Sequence, residues 1–195
     1  MLRVADDDLP VQRSSELAEV VSDYVDQLEK LEDDERDQAE TQAGLLHDRV
    51  FQLAADPTKS NGLPTPLDRV PHIEFAALEN SVDRLQRSAK AYDEAVAKNG
   101  ADLPRARLEH LQLLMLTIDQ TLAPEIGLPG RSWYKNLIYA PGRLTGYEAK
   151  TLPGVREAIE DRRWADANHY AAITAQALNK YSDRLDEATT VLNGE

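Results

Sequence analysis

A chain of 195 residues with 35 acidic and 22 basic side chains carries a formal net charge of −13, which repels nucleic acid and anionic lipid and sets both aside as partners. Its 42% apolar and 29% charged residues fit one folded domain over residues 1–195 with a real core, not a disordered tail. The absence of cysteine excludes disulfides, thiolate metal sites and a cysteine nucleophile. No hydrophobic h-region follows Met1-Leu2-Arg3-Val4, and the apolar run Leu113-Leu114-Met115-Leu116 is far too short to span a bilayer.

Four long helices are predicted by period. The first follows Ser14 and Ser15, either of which can cap it. Leu17, Val20, Val21, Tyr24, Val25, Leu28 and Leu31 form one apolar stripe, with Glu16, Glu19, Asp23 and Asp26 on the wet side. Residues 32–40 are almost wholly polar and read either as a solvated continuation or as a loose connection. Leu45, Leu46, Val50 and Leu53 predict a further short helix. Between residues 56 and 71, Pro57, Pro64, Pro66 and Pro71 with Gly62 stop helices and predict a long surface loop.

The second long helix carries Phe75, Leu78, Val82, Leu85, Ala89, Tyr92 and Val96 and ends at Asn99-Gly100. The third starts near Pro104, with Leu108, Leu111, Met115, Ile118 and Leu122 on one face. Leu113, Leu114 and Leu116 widen its apolar surface, so this helix is central in a bundle or is covered by a partner. A short helix is expected from Val155 to about Arg162. The last runs from about Trp164 to Val191, with Ala167, Ala171, Thr174, Leu178, Tyr181 and Leu185 spaced as a helix–helix seam. Ala171, Ala172, Ala175 and Ala177 allow a close neighbour. The only strand signal is Leu137-Ile138-Tyr139. The predicted fold is all-α: an up-and-down bundle of four main helices, with minor helices and one long ordered loop before the last helix.

The motifs of most enzyme chemistry are missing. There is no phosphate-binding glycine loop, no H-E-x-x-H pair and no G-x-S-x-G elbow. A di-iron bundle needs Glu-x-x-His pairs on facing helices, and the nearest match is the single Asp166-x-x-His169. His47, His72, His110 and His169 fall one to a segment, so His110 and His169 are expected as ordinary polar contacts rather than metal ligands. The acidic stretch 29–40 lacks the glycine and ligand spacing of a calcium loop and is expected as a solvated charged face. A metal-dependent helical enzyme is the reading that these absences disfavour most.

Residues 124–154 carry more information. Ile126-Gly127-Leu128-Pro129-Gly130-Arg131-Ser132-Trp133-Tyr134 and Asn136-Leu137-Ile138-Tyr139-Ala140-Pro141 are too apolar and aromatic for an idle linker. Residue types alone leave two possibilities open: a loop that packs its aromatics over the bundle end, or a binding loop.

Gly127-Leu128-Pro129, Arg131, Tyr134, Ile138-Tyr139-Ala140-Pro141 and Pro153-Gly154 resemble the C-terminal helical domain of the glutamate carboxypeptidase II and transferrin receptor family. Leu2-Arg3-Val4-Ala5-Asp6 with Leu9-Pro10 is similar to the family's approach into this domain, and the alanine-rich seam of residues 164–178 to its final helix. The resemblance covers almost the whole chain, least clearly residues 33–71. It implies a non-catalytic homodimerisation domain whose partners are a second copy and the peptidase domain of the parent chain. In such a parent two zinc ions sit in the peptidase domain, and their ligands have no counterpart here, so no cofactor is expected in this chain. The parent is then expected outside the cytoplasm: secreted, periplasmic or membrane-anchored.

The resemblance also implies that the loop after the Tyr-Ala-Pro motif reaches into the active site, where a Lys-Tyr pair holds the substrate's terminal carboxylate. Tyr147 falls on that tyrosine and Gly146 on the lysine, so the charge-assisted contact is lost and Arg143 is a candidate replacement. Tyr139, Arg143 and Tyr147 are therefore the candidate substrate-contact residues, with Tyr139 equally readable as packing at the loop base. Retention of Ile138-Tyr139-Ala140-Pro141 and Tyr147 points to a peptidase parent rather than a receptor. Read without the family, the same loop makes the chain a free-standing helical module that binds a protein or peptide.

Overall fold

A computed structural model describes residues 13–54, 62–143 and 149–194. The first helix, α1 (Ser14–His47), runs 34 residues. Ala18, Val21, Val25 and Leu28, spaced three and four apart, are buried along it, whereas Val20 points away and is 41% exposed. The polar stretch 32–40 is helix throughout. Glu and Arg are good helix formers, and Arg36 pairs with both Glu32 and Asp33 one turn back. The expectation of a purely solvated face fails at Glu32, whose buried carboxylate also accepts the Ile73 N–H at 3.3 Å.

Neither Ser14 nor Ser15 caps α1 as the sequence suggests. Arg13 occupies the N-cap position without a side-chain bond. Asp93, from the second long helix, accepts the N–H groups of Ser14 and Ser15 at 2.9 and 3.0 Å and the Ser15 hydroxyl at 2.6 Å. The cap thus comes from across the bundle and satisfies the same free amides. Leu45 and Leu46 extend α1 rather than opening a new helix. The chain breaks at Arg49, whose φ is +56°, before the single turn α2 (Val50–Leu53).

The proline-rich connection is pinned over its described part. Val70, Ile73 and Phe75 are buried, and the Leu67 N–H donates to Gln42 at 2.7 Å. Residues 56–61 of that predicted loop lie outside the described residues. Phe75 precedes α3 (Ala76–Asn99) instead of belonging to it. After a 3-10 turn, Gly100–Asp102, α4 (Arg105–Ile118) starts behind Pro104 and tightens into a second 3-10 turn, Asp119–Leu122. The irregular segment that follows contains β1 (Tyr139–Pro141) and β2 (Ala149–Thr151), paired antiparallel with Tyr139 opposite Thr151. The strand therefore starts two residues later than Leu137, and its partner carried no sequence signal.

The chain ends in α5 (Pro153–Glu160) and α6 (Trp164–Asn193). All six predicted seam residues of α6 are buried. So are Ala171, Ala175 and Ala177, while Ala172 faces out. The small residues let α3 lie along α6, which also holds α4 and α5, and α1 packs on α3 and α5. One continuous apolar cluster joins these helices to Leu128, Leu137, Ile138 and Ala140 of the irregular segment. The architecture is an all-α helical bundle with a loop platform built into its core.

Candidate functional site

Most of the platform's sequence motif is framework. Gly127 has φ +62°, and a Cβ there would lie 2.1 Å from the Ser132 carbonyl oxygen, so the chain can double back only at glycine. The fold-back is closed by Leu128 N–H to the Tyr134 carbonyl at 2.9 Å and Tyr134 N–H to the Arg131 carbonyl at 2.9 Å. Tyr170 of α6 fastens it to the bundle, its hydroxyl donating to the Gly127 carbonyl at 2.9 Å. Gly154 is required for the same contact, because a Cβ there would meet the Tyr170 ring at 2.4 Å.

Arg131 is the central pin. Its Nη2 donates to Glu157 Oε1 of α5 at 2.8 Å, its Nη1 to the Pro141 carbonyl, and its guanidinium lies 5.7 Å from the Tyr134 ring centroid. Glu157 Oε1 also accepts the Arg143 N–H at 3.1 Å. One buried carboxylate therefore ties the fold-back to the backbone just beyond β1. Nothing in the sequence singled out Glu157. Its signal, in retrospect, is an acid among Val155, Ala158 and Ile159 on the buried side of α5.

The candidate contact residues sit differently. Tyr139 opens β1 and is 56% exposed; its N–H donates to Asn136 Oδ1 at 3.1 Å and its carbonyl accepts the Tyr134 hydroxyl at 3.4 Å. Packing at the loop base falls to Ile138 and Ala140, on either side of it. The Arg143 guanidinium is bonded to Asp161 at 2.6 Å, which positions the cation but leaves it partly neutralised. Tyr147 and Gly146 lie outside the described residues. Sequence reading did not single out two other exposed side chains of the segment, Trp133 at 79% exposure and Ile126 at 48%.

A second feature is the outer side of α4. Leu111, Leu114 and Ile118 are buried toward α6, while Leu113 is 61% and Leu116 80% exposed. At 100° per residue the exposed pair points about 160° away from the buried three. The choice the sequence left, central helix or partner-covered helix, resolves into one covered face and one bare face.

Elsewhere the chemistry is sparse. All four histidines are exposed. A cleft of about 390 Å³ between α1 and α3 is lined by Glu29, Glu32, Asp33, His72 and Glu79, among others. Burial, then a hydrogen bond to Glu79 and its negative charge, raise the Glu29 carboxyl above the usual range. Among the described residues no group of three or more His, Asp or Glu is placed to hold a metal ion. Among the described residues no helix is long and apolar enough to cross a membrane.

The sequence profile of the transferrin receptor-like dimerisation domain matches residues 73–186, from the end of the proline-rich segment through α3, α4, the platform and most of α6. The chain is 28% identical over 64% of its length to a "probable glutamate carboxypeptidase" of Arabidopsis thaliana, covering 18% of that protein. It is 26% identical over 56% of its length to a "probable glutamate carboxypeptidase" of Arthroderma benhamiae, covering 15% of it. An "inactive zinc metalloprotease" of Schizosaccharomyces pombe is 25% identical over 56% of the chain, which covers 17% of that protein. The chain thus spans less than a fifth of these curated relatives. The profile match takes in more than half of the chain and every element that builds the platform: the chain belongs to the transferrin receptor-like dimerisation domain family.

Proposed function

We infer that this chain is the non-catalytic self-association domain of a glutamate carboxypeptidase-like zinc peptidase. It pairs with a second copy of itself and docks on the peptidase domain of its parent. The observation that carries this is the profile match over residues 73–186. The bare leucines Leu113 and Leu116 supply apolar surface for such a contact. The zinc ions and the hydrolytic chemistry belong to the parent's peptidase domain. Light scattering over a wide concentration range checks the assembly, with a dimer expected. Incubation of the chain with zinc and peptides ending in glutamate checks the absence of catalysis; turnover would overturn it.

The finer part of the reading concerns the loop 139–147. Tyr139, Arg143 and Tyr147 are proposed to complete the substrate pocket of the peptidase domain. What supports this is a rigid platform with an exposed Tyr139 and a fixed Arg143 cation at its edge. Gly146 removes the ammonium that would hold a terminal carboxylate, so Arg143 is the cation left for that role. In the parent polypeptide, Arg143→Gln should raise KM for an acidic C-terminal residue and leave kcat nearly unchanged. An unchanged KM would remove Arg143 from the pocket.

The alternative is a free-standing helical module that binds a protein or peptide through the platform. The exposure of Trp133 beside a fixed fold-back favours it. A chain that stays monomeric while Trp133 fluorescence reports peptide binding would promote it.

A further inference from the structure

We propose that the outward face of α4 is a two-fold seam, on which Leu113 of one copy packs against Leu116 of an antiparallel second copy. The proposal rests on the self-association reading and names the surface that carries it.

Charge restricts where two such chains can meet. Each copy carries a formal −13, so approach is repulsive except over surface free of charge. Residues 111–118 form an eight-residue stretch with no ionisable side chain, and the charges of α4 are confined to its start, at Arg105, Arg107 and Glu109. The other long uncharged helical stretch, residues 170–179, is mostly buried in α6. Among the described residues, α4 presents two large bare side chains on such a stretch, Leu113 and Leu116, whereas the other strongly exposed helical leucine, Leu53, sits on the single turn α2.

The pattern is also self-complementary. A closed two-fold contact requires that if one position touches a second, the second also touches the first. Leu113 and Leu116 meet this condition about an axis between residues 114 and 115. The same axis sets Glu109 against Gln120 of the other copy, an amide that can donate to a carboxylate, and it opposes no like charges along the seam. Arg105 already bonds its own Glu109 at 2.9 Å and so enters the contact partly neutralised. α4 lies wholly inside the residues that match the dimerisation domain.

The test exploits exposure and the lack of cysteine. Leu116→Glu removes nothing from the core, since Leu116 is 80% exposed, and circular dichroism verifies its fold. Its dimer dissociation constant, from sedimentation equilibrium, should rise roughly 100-fold or more, as for a central interface residue. Leu116→Cys is the sole thiol in its chain and should be joined to a second copy by a short bis-maleimide, whereas Val20→Cys on α1 should not. A wild-type dimer that Leu116→Glu leaves intact overturns the seam while self-association stands. A wild-type chain that is monomeric throughout overturns both.

Discussion

Arg131 and Glu157 form an ion pair at 2.8 Å with side chains only 10% and 6% exposed. They join a fold-back in the irregular segment to a helix more than two dozen residues later. A buried charge left without its partner is strongly unfavourable, by about 3–5 kcal/mol. Arg131→Met alone or Glu157→Leu alone should therefore lower the unfolding free energy by roughly that amount. The double substitution should cost far less than the two added together. Urea unfolding of the four proteins in a double-mutant cycle checks this. Additive losses would mean that the two charges do not depend on one another.

Gly154 and Tyr170 give a sharper geometric test. A methyl group at position 154 would meet the ring at 2.4 Å, and that ring's hydroxyl holds the Gly127 carbonyl. Gly154→Ala should push the ring aside and release the platform from α6. The expected cost is about 1–3 kcal/mol, with faster proteolytic cleavage at Lys135. Tyr170→Phe keeps the ring but loses the bond to Gly127, so it should accelerate cleavage with a smaller loss of melting temperature.

What the sequence made legible follows the same physics. Helical period exposed the six named seam residues of α6, because the residues it buries recur at helical spacing. The family motif on the platform was legible because Gly127 and Gly154 are fixed by close approach. Their contacts were not: Ser132 is local, but Tyr170 lies far along the chain, and no spacing rule connects them. Asp93 as the cap of α1 and Glu157 as the partner of Arg131 were invisible for the same reason, since each acts across the bundle. Val20 was misassigned because a stripe widened by one residue still has helical period. The bare side of α4 was visible only as an ambiguity, which three-dimensional packing resolved.

The distant cap predicts a local effect. Asp93→Ala frees the Ser14 and Ser15 amides that its carboxylate holds, at a cost of about 1–2 kcal/mol. Amide hydrogen exchange should rise in the first turn of α1 and stay unchanged at α1's middle. Asp93→Asn retains an acceptor and should recover part of the protection. Uniform acceleration along the helix would instead show that Asp93 matters to global packing.

The Glu29–Glu79 contact predicts a response to mild acid. Burial and the neighbouring acids hold the Glu29 carboxyl above its ordinary range, so the folded state binds this proton more tightly than the unfolded chain. The contribution is greatest below the unfolded carboxyl range and is lost as pH rises through the raised folded value. Glu79→Gln removes the facing charge. It should raise the melting temperature at pH 7 and do so less at pH 4, with thermal scans at the two values deciding. An equal gain at both would place the effect outside this carboxyl pair.

Tyr92 supplies the opposite end of the pH range. Its hydroxyl is buried and has no hydrogen-bond partner among the described residues. Burial, and then the charge of Asp93, push its ionisation up to about 12. Tyr181 is raised as well, by burial and by Asp119 and Tyr92. Unfolded tyrosines ionise near pH 10, where the folded ones still hold their protons. The unfolded state then binds fewer protons than the native state, so stability should fall as pH climbs from about 10 toward 12. Tyr92→Phe eliminates one of these ionisations together with an unsatisfied hydroxyl. At pH 7 it should match or exceed the wild type, because an unpaired buried donor costs about 1–3 kcal/mol. Between pH 10 and 12 it should lose stability less steeply. Denaturant unfolding at pH 7, 10 and 11 measures both effects. A Tyr92→Phe chain weaker at pH 7 would show that the hydroxyl has found a partner, and a slope equal to that of the wild type would assign alkaline unfolding to the other raised tyrosines, Tyr181 and Tyr170.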